Sequence, residues 1–350
     1  MKIGNFSINE DSKVLIIAEL SANHNGNLET AMETIRAAKR AGADCIKLQT
    51  YTADTITINH KSHDFKLTQG TIWDGQYLYD LYQQAFTPWE WHKALFQEAK
   101  KQDLICFSSP FDKTAVDFLE DLNVPAYKIA SFEITDINLI EYVASKGKPI
   151  IISTGIAEKE DIILAIEACK RMNNNNIALL KCTSSYPAPI EDANMCMIKD
   201  LAERFNVISG LSDHTIGSTV PIVATSFGAK IIEKHFIITR SIGGPDASFS
   251  MNEQEFTKMV KAVRDAEKAI GKVNYKLTEK QQKSRDFSRS LYVVKNIKKG
   301  EEITEENVKS IRPGFGLHPK FLPEIIGKKS IKDLKRGDRF DLKFIDETYK

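Results

Sequence analysis

Two histidines close short apolar runs, His214 in GLSDHT and His235 in IIEKHF. Imidazole suits first-row divalent metals, and two imidazoles without a set of cysteines beside them leave positions open for water and substrate, as in a catalytic rather than a structural site. Mn²⁺, Mg²⁺ or Co²⁺ would suit such a pair. The other reading is a pair of rim histidines, one satisfied by hydrogen bonds and one moving a proton. A second group closes other apolar runs: Lys47, Ser109, Lys128, Ser131, Ser153 and Ser212. Singly, such a lysine is a solvated charge and such a serine a turn or cap residue. Together, amines, hydroxyls and the backbone N–H groups beside them compose a site for phosphate and carboxylate. Glu19 and Glu133 end or follow two of the same runs and could move protons there. Gln49, Ser184 and Tyr186 stand close by in sequence. His24 in NHNG reads equally as a loop residue or a substrate contact. GGPD, with Asp246, has turn chemistry, and RPGFGLHP matches no phosphate loop.

These residues need a common scaffold, and the pattern around them supplies one. Eight β-branched runs are expected as strands: 14–18, 45–49, 105–109, 126–130, 149–153, 177–181, 207–211 and 230–236. Segments of 3.6-residue periodicity follow them, among them LETAMETIRAAKRAG, PWEWHKALFQEAKKQ and NEQEFTKMVKAVRDAEKAIG, which is the rhythm of repeated βα units. Eight units suit a closed (β/α)8 barrel, an α/β fold whose polar strand ends meet at one mouth. On that scaffold His214 and His235 end adjacent strands about 4.8 Å apart, close enough to share an ion. Residues 50–87 are too long for an ordinary βα loop, and Trp73, Tyr77, Tyr79, Tyr82 and Phe86 predict an ordered flap or a dimer contact. After Gly271 a polar stretch, 272–289, reads as a linker, and 290–350 as a compact small domain.

With Lys+Arg 48 against Asp+Glu 47 in 350 residues, the formal net charge of +1 offers no basic field to nucleic acid. No run of 18 apolar residues predicts a membrane span, so the expectation is a cytoplasmic protein whose partners are small molecules or copies of itself. Five scattered cysteines without a CxxC pair read as reduced thiols.

In order along the chain, IAELSANHNG, IKLQTY, FSSPFD, YKIAS, STG, CTSSYPAP, GLSDHT, EKHF and GGPDASFS resemble the sialic acid synthase family. SLYVVKNIKKGEEITEENVKSIRPGFGLHP is similar to the antifreeze-like (SAF, β-clip) domain that members carry after a TIM barrel. The resemblance implies a barrel over 1–271, the linker, and a SAF domain over 290–350. It implies a metal-dependent condensation of phosphoenolpyruvate with an amino-sugar aldehyde, the ion on His214 and His235. Lys47, Ser109, Lys128, Ser131, Ser153, Ser184 and Ser212 would hold phosphoenolpyruvate; Gln49, Tyr186, Asp246 and Arg312 would lie near the sugar; Glu19 or Glu133 would move the proton of the added water. It also implies a swapped homodimer in which the partner's Arg312 reaches the sugar. Ser184 departs from the CTNxYP form of N-acetylneuraminate synthases, and TIWDGQYLYDLYQQAFTPWEWH resembles the pseudaminate branch, whose sugar is a 2,4-diacetamido-2,4,6-trideoxy hexose. N-acetylneuraminate or legionaminate formation, a Schiff-base aldolase using Lys128 or Lys181, and a non-catalytic sugar-binding protein are the rivals.

Overall fold

The eight β-branched runs become parallel strands: β1 (Leu15–Glu19), β2 (Cys45–Thr50), β3 (Ile105–Pro110), β4 (Tyr127–Ile129), β5 (Ile150–Ser153), β6 (Ile177–Cys182), β7 (Ile208–Asp213) and β8 (Ile231–His235). In this computed structural model, which describes residues 1–345, they close into a barrel in chain order, with β8 pairing β1. Residues 346–350, the end of the expected small domain, lie outside the described residues. Contacts divide the chain into two compact units, Met1–Gly271 and Lys272–Lys350.

The period of two along each strand decides where the polar residues go. Leu15, Ile17, Cys45, Phe107, Ile151, Ala178, Leu180 and Ile231 fill the lumen, while the alternate residues, such as Ile16, Ile46, Tyr127 and Ile152, face the helices. Each fully buried isoleucine contributes about 1.5–3 kcal/mol. Continuing the lumen series toward the strand ends gives Glu19, Lys47, Ser109, Lys128, Ser153, Cys182, Ser212, Glu233 and His235, so one apolar core supports one polar mouth. Register then sets neighbours: Glu19 lies opposite both Lys47 and His235, and Glu233 opposite Ser212. At the other end a hairpin pairing Lys2–Ile3 with Phe6–Ser7 brings Ile3 into the lumen core, which Ile8 also joins.

Outside the lumen, Lys234 and Asp213 form a buried pair at 2.5 Å, and Asp213 also accepts from the Thr215 N–H. This ties the ends of β7 and β8 together one residue before each histidine. Helices follow where periodicity predicts them. Asn27 accepts from the Thr30 N–H to cap Leu28–Arg40, and Asn252 with Glu255 forms a capping box for Glu253–Ile270. The insertion is ordered, with helices at Ala53–Ile56 and Leu78–Ala85 and a bridge between Lys66 and Tyr77.

The second unit has its own core of Leu291, Val293, Ile297, Ile303, Val308, Ile325, Leu334 and Phe340 around antiparallel β9 (Ser290–Val293) and β10 (Val308–Ile311). The stretch read as a linker is not featureless. Thr278 and Gln281 form a capping box that starts the helix Glu279–Ser284, and the Gly314 N–H donates to the Asp286 carbonyl, so its end belongs to this unit. Among the described residues no helix is long and apolar enough to cross a membrane. All five cysteines are free thiols, four of them buried.

Candidate active site

A buried, charge-balanced cluster occupies one side of the mouth. The Lys47 Nζ donates to Glu19 Oε1 at 2.6 Å and to Ser109 Oγ at 3.4 Å, and the Lys128 Nζ donates to Ser153 Oγ at 2.7 Å. Both ammonium groups lie 3.4 Å from Glu233 Oε1, which also accepts from Ser212 Oγ at 3.2 Å. Gln49 donates to Glu19 at 2.8 Å. Burial disfavours the Glu19 carboxylate, but Lys47, His235 and Lys128 outweigh it and hold Glu19 well below the usual carboxylate range. Burial also lowers Lys128, with Glu233 only partly offsetting it, whereas at Lys47 the two glutamates win and the shift is upward. Two amines and two carboxylates out of water persist only as a set, since removing one leaves an uncompensated charge.

Beside this cluster, Ser131 Oγ accepts from the Gly155 N–H at 3.1 Å. A Cβ on Gly155 would stand 2.1 Å from Ser184 Oγ and 2.7 Å from Ser131 Oγ, so only glycine lets these hydroxyls converge. Glu133 has a buried Oε2 with no hydrogen-bond partner, and burial pushes its carboxyl up to about 7. That burial poises it to exchange a proton near neutrality.

The imidazoles of His214 and His235 lie 5.3 Å apart, centroid to centroid. His214 Nδ1 meets the Thr183 carbonyl at 2.9 Å, so Nδ1 carries a proton, and in the neutral ring Nε2 keeps its lone pair. His235 Nδ1 is buried without a hydrogen-bond partner, 3.7 Å from Asp246 Oδ2, and Nε2 lies 3.5 Å from Glu19 Oε2. Asp246 is held by Ser21, whose hydroxyl donates at 2.5 Å. Two imidazoles presenting an unused nitrogen each fit a divalent ion. Among the described residues no third His, Cys, Asp or Glu joins them in a ligand cluster.

Aromatic rings wall this side. Tyr186 lies 4.4 Å from His214 with the rings tilted by 48°, Phe249 lies 5.0 Å from His235, and the insertion's Trp73 packs 5.4 Å from Tyr186 and 6.2 Å from Phe249.

His24 and His92 belong to the scaffold. The Gly26 N–H donates to His24 Nδ1 at 3.0 Å, and Nε2 meets Thr87 Oγ1 at 3.3 Å. His92 Nδ1 meets the Pro88 carbonyl at 3.2 Å, and Nε2 meets Thr50 Oγ1 at 2.9 Å. Each neutral ring is satisfied, and burial pulls both down to about 4. The unfolded chain binds these protons near 6.5, so stability is full above 6.5 and falls as pH drops from 6.5 toward 4, by roughly 3 kcal/mol per histidine. His92→Gln is expected to flatten the pH dependence of urea unfolding in that window by about 1.4 kcal/mol per pH unit. An unchanged slope would mean that His92 is not neutral in the fold.

The mouth thus brings together Glu19, Lys47, Gln49, Ser109, Lys128, Ser131, Glu133, Ser153, Ser184, Tyr186, Ser212, His214, His235 and Asp246. Arg312 lies in the second unit. Lys181 turns away from the lumen, its Nζ on the Cys182 carbonyl. Glu233, Cys182 and Phe249 had no assigned role, and Trp73 was expected only as one of the aromatic residues of an ordered insertion. Glu233 and Cys182 share the lumen face with residues two positions away, a signal present in the sequence. Burial raises the Cys182 thiol, but His214, Ser131 and Lys128 bring it down to about 7. Trp73 and Phe249 carry no such signal.

Residues 34–275 match the NeuB family and 288–339 the SAF domain. The chain is 52% identical over 338 residues to pseudaminic acid synthase of Campylobacter jejuni subsp. jejuni serotype O:2, covering 97% of this chain and 98% of that protein. It is 53% identical to pseudaminic acid synthase of Helicobacter pylori, covering 91% and 94%. The crystal structure of spore coat polysaccharide biosynthesis protein SpsE of Bacillus subtilis superposes with a TM-score of 0.67 at 33% identity, covering 99% of both chains. The chain belongs to the NeuB family and ends in a SAF domain.

Proposed function

We propose that the chain is a synthase that joins C3 of phosphoenolpyruvate to the aldehyde carbon of 2,4-diacetamido-2,4,6-trideoxy-L-altrose, giving pseudaminic acid and phosphate. The observation that carries this is an anion-binding arc and a pair of metal-competent imidazoles in one buried mouth, in a chain more than half identical to two pseudaminic acid synthases.

Lys47, Lys128, Ser109, Ser131, Ser153, Ser184 and Ser212 hold the phosphate and carboxylate of phosphoenolpyruvate, with charge-assisted bonds from the two amines. His214 and His235 hold Mn²⁺, Mg²⁺ or Co²⁺, which when bound supplies Lewis-acid polarisation of the sugar aldehyde. Gln49, Tyr186 and Asp246 line the sugar's path. Glu19, kept ionised by Lys47, offers a fixed negative charge to the cationic character that develops at C2. As C3 bonds to the aldehyde carbon, the C=O π bond of the aldehyde opens to an alkoxide. Glu133 takes the proton of the water that adds at C2, and that alkoxide gains a proton in turn. Phosphate then leaves C2 by C–O cleavage as the C2 hydroxyl gives up its proton to form the ketone.

Phe132, Ile156, Ile190 and Ile216, on the loops after β4, β5, β6 and β7, are 58%, 44%, 52% and 66% exposed. An apolar rim around a polar mouth supports a cap. In our reading the cap is the SAF unit of a partner in a swapped homodimer, which brings the partner's Arg312 to the sugar, and the enzyme works in the cytoplasm.

Phosphate release with each amino sugar tests the reaction. Release is expected with the diacetamido trideoxy sugar, to be abolished by chelator and restored by Mn²⁺. Comparable turnover of N-acetylmannosamine would redirect the assignment to N-acetylneuraminate formation. The lowered, buried Lys128 favours one rival, a Schiff-base aldolase. A borohydride-trapped pyruvate adduct on Lys128, with activity surviving chelator, would replace the metal mechanism.

A further inference from the structure

The three rings at the mouth form a wall with a direction. It starts at the imidazoles, with Tyr186 on His214 and Phe249 on His235, and ends at Trp73, which touches Tyr186 and Phe249 but packs on neither histidine. Trp73 is the insertion's contribution to this wall. Its indole N–H donates to the Pro245 carbonyl at 3.0 Å, which fixes the ring against the loop that carries Asp246. That bond also uses the side chain's one polar atom, so the ring face can offer a ligand only apolar contact and no partner for a hydroxyl. A sugar whose aldehyde carbon lies at the imidazoles would extend its far carbons along this wall.

We infer that Trp73 is a specificity-determining residue, whose ring accepts the terminal methyl of a 6-deoxy sugar and disfavours the hydroxymethyl of its 6-hydroxy counterpart. The inference rests on the proposed reaction. A methyl against the indole gains contact, whereas a hydroxyl there gives up water without a replacement bond. An apolar pocket rejects a ligand that merely adds a hydroxyl by at most about 100-fold, which sets the scale of the effect.

The test is kcat/KM of the wild type, Trp73→Ala and Trp73→Phe with phosphoenolpyruvate and either 2,4-diacetamido-2,4,6-trideoxy-altrose or the same sugar bearing a 6-hydroxyl. The wild type is expected to prefer the deoxy sugar by roughly 10- to 100-fold. Trp73→Phe, which keeps a ring but loses the bond to Pro245, is expected to retain most of that preference. Trp73→Ala is expected to bring the two sugars within about 3-fold, mainly by raising KM for the deoxy sugar. An unchanged preference in a folded Ala variant overturns the inference, as does a wild type that treats both sugars alike. A Phe variant as indiscriminate as Ala also overturns it, because the bond to Pro245 rather than the ring would then set the preference. If Ala melts well below the wild type, Trp73→Gln, which fills the space but offers a hydroxyl a partner, carries the same comparison. A wild type active only on N-acetylmannosamine is a different result, which removes the proposed reaction itself.

Discussion

Replacing His235 by alanine is expected to remove nearly all turnover and nearly all bound metal while leaving the barrel folded. The ring sits at the end of β8 with a buried Nδ1 that has no hydrogen-bond partner, and its Nε2 has only the Glu19 carboxylate at 3.5 Å. Its loss therefore breaks no internal hydrogen bond of consequence, and the cost to the fold is a small cavity near solvent. For the proposed ion, held by only two protein ligands, its loss would be far more severe, because the remaining imidazole could not hold the ion in place. We expect turnover to fall by at least about 1,000-fold. Two measurements separate this from general damage. Manganese per chain should drop to near zero by atomic absorption, and the rise in melting temperature on adding Mn²⁺ should vanish, a rise that reflects about 2.7 kcal/mol when the ion is at 100 times its Kd. Full manganese content in the His235→Ala protein would contradict the assignment.

Glu133→Gln is expected to lower kcat by roughly 100- to 10,000-fold, the range for loss of a positioned acid or base. With Glu133 half-protonated at about 7 and acting as the base, wild-type activity should climb with pH up to about 7 and level off above it. The Gln variant should lose that limb. Stability gives a second readout of opposite sense. Because the folded carboxyl lies above its ordinary 4.5, ionising it costs the native state stability as pH rises through 4.5 to 7. Glutamine carries no such cost, so the variant should melt at or above the wild-type temperature at pH 8 and show no advantage at pH 4. A full wild-type pH limb in the variant would show that a group other than Glu133 sets it and would remove the base role from Glu133.

The barrel was legible because its signals are local. β-branched runs between helical periods mark the strands to within two residues, and alternation alone puts Lys47, Lys128, Ser153 and His235 on the lumen side. What alternation does not carry is the balance of charge among residues far apart in sequence. Glu233 follows the rule that selects His235, yet its meaning depends on Lys47 and Lys128 arriving within 3.4 Å from other strands. Glu19 and Glu133 look alike as letters, and only their surroundings, an ammonium at 2.6 Å in one case and burial without a hydrogen-bond partner in the other, drive them apart. Trp73 was visible as an aromatic residue in a long insertion, but its partners Pro245 and Phe249 lie on the far side of the chain's length, and nothing near residue 73 announces them. Within the 272–289 stretch, composition did not reveal the short capped helix Glu279–Ser284, because such a helix can be as polar as a linker.

The internal pairing of Glu19, Glu233, Lys47 and Lys128 bears on how fast the anion arrives. Had the two lysines stood alone, the mouth would act as an electrostatic funnel, and encounter rates would fall steeply with ionic strength. Two carboxylates cancel that field at distance, and a chain of net charge +1 adds little of its own. In the proposed reaction phosphoenolpyruvate would therefore meet a near-neutral surface beyond a Debye length of about 8 Å, and its selection would happen at contact, by exchange of carboxylate partners. The lysines are ready in position but already engaged, which favours an incoming anion able to outcompete a carboxylate over the many monoanions of the cell.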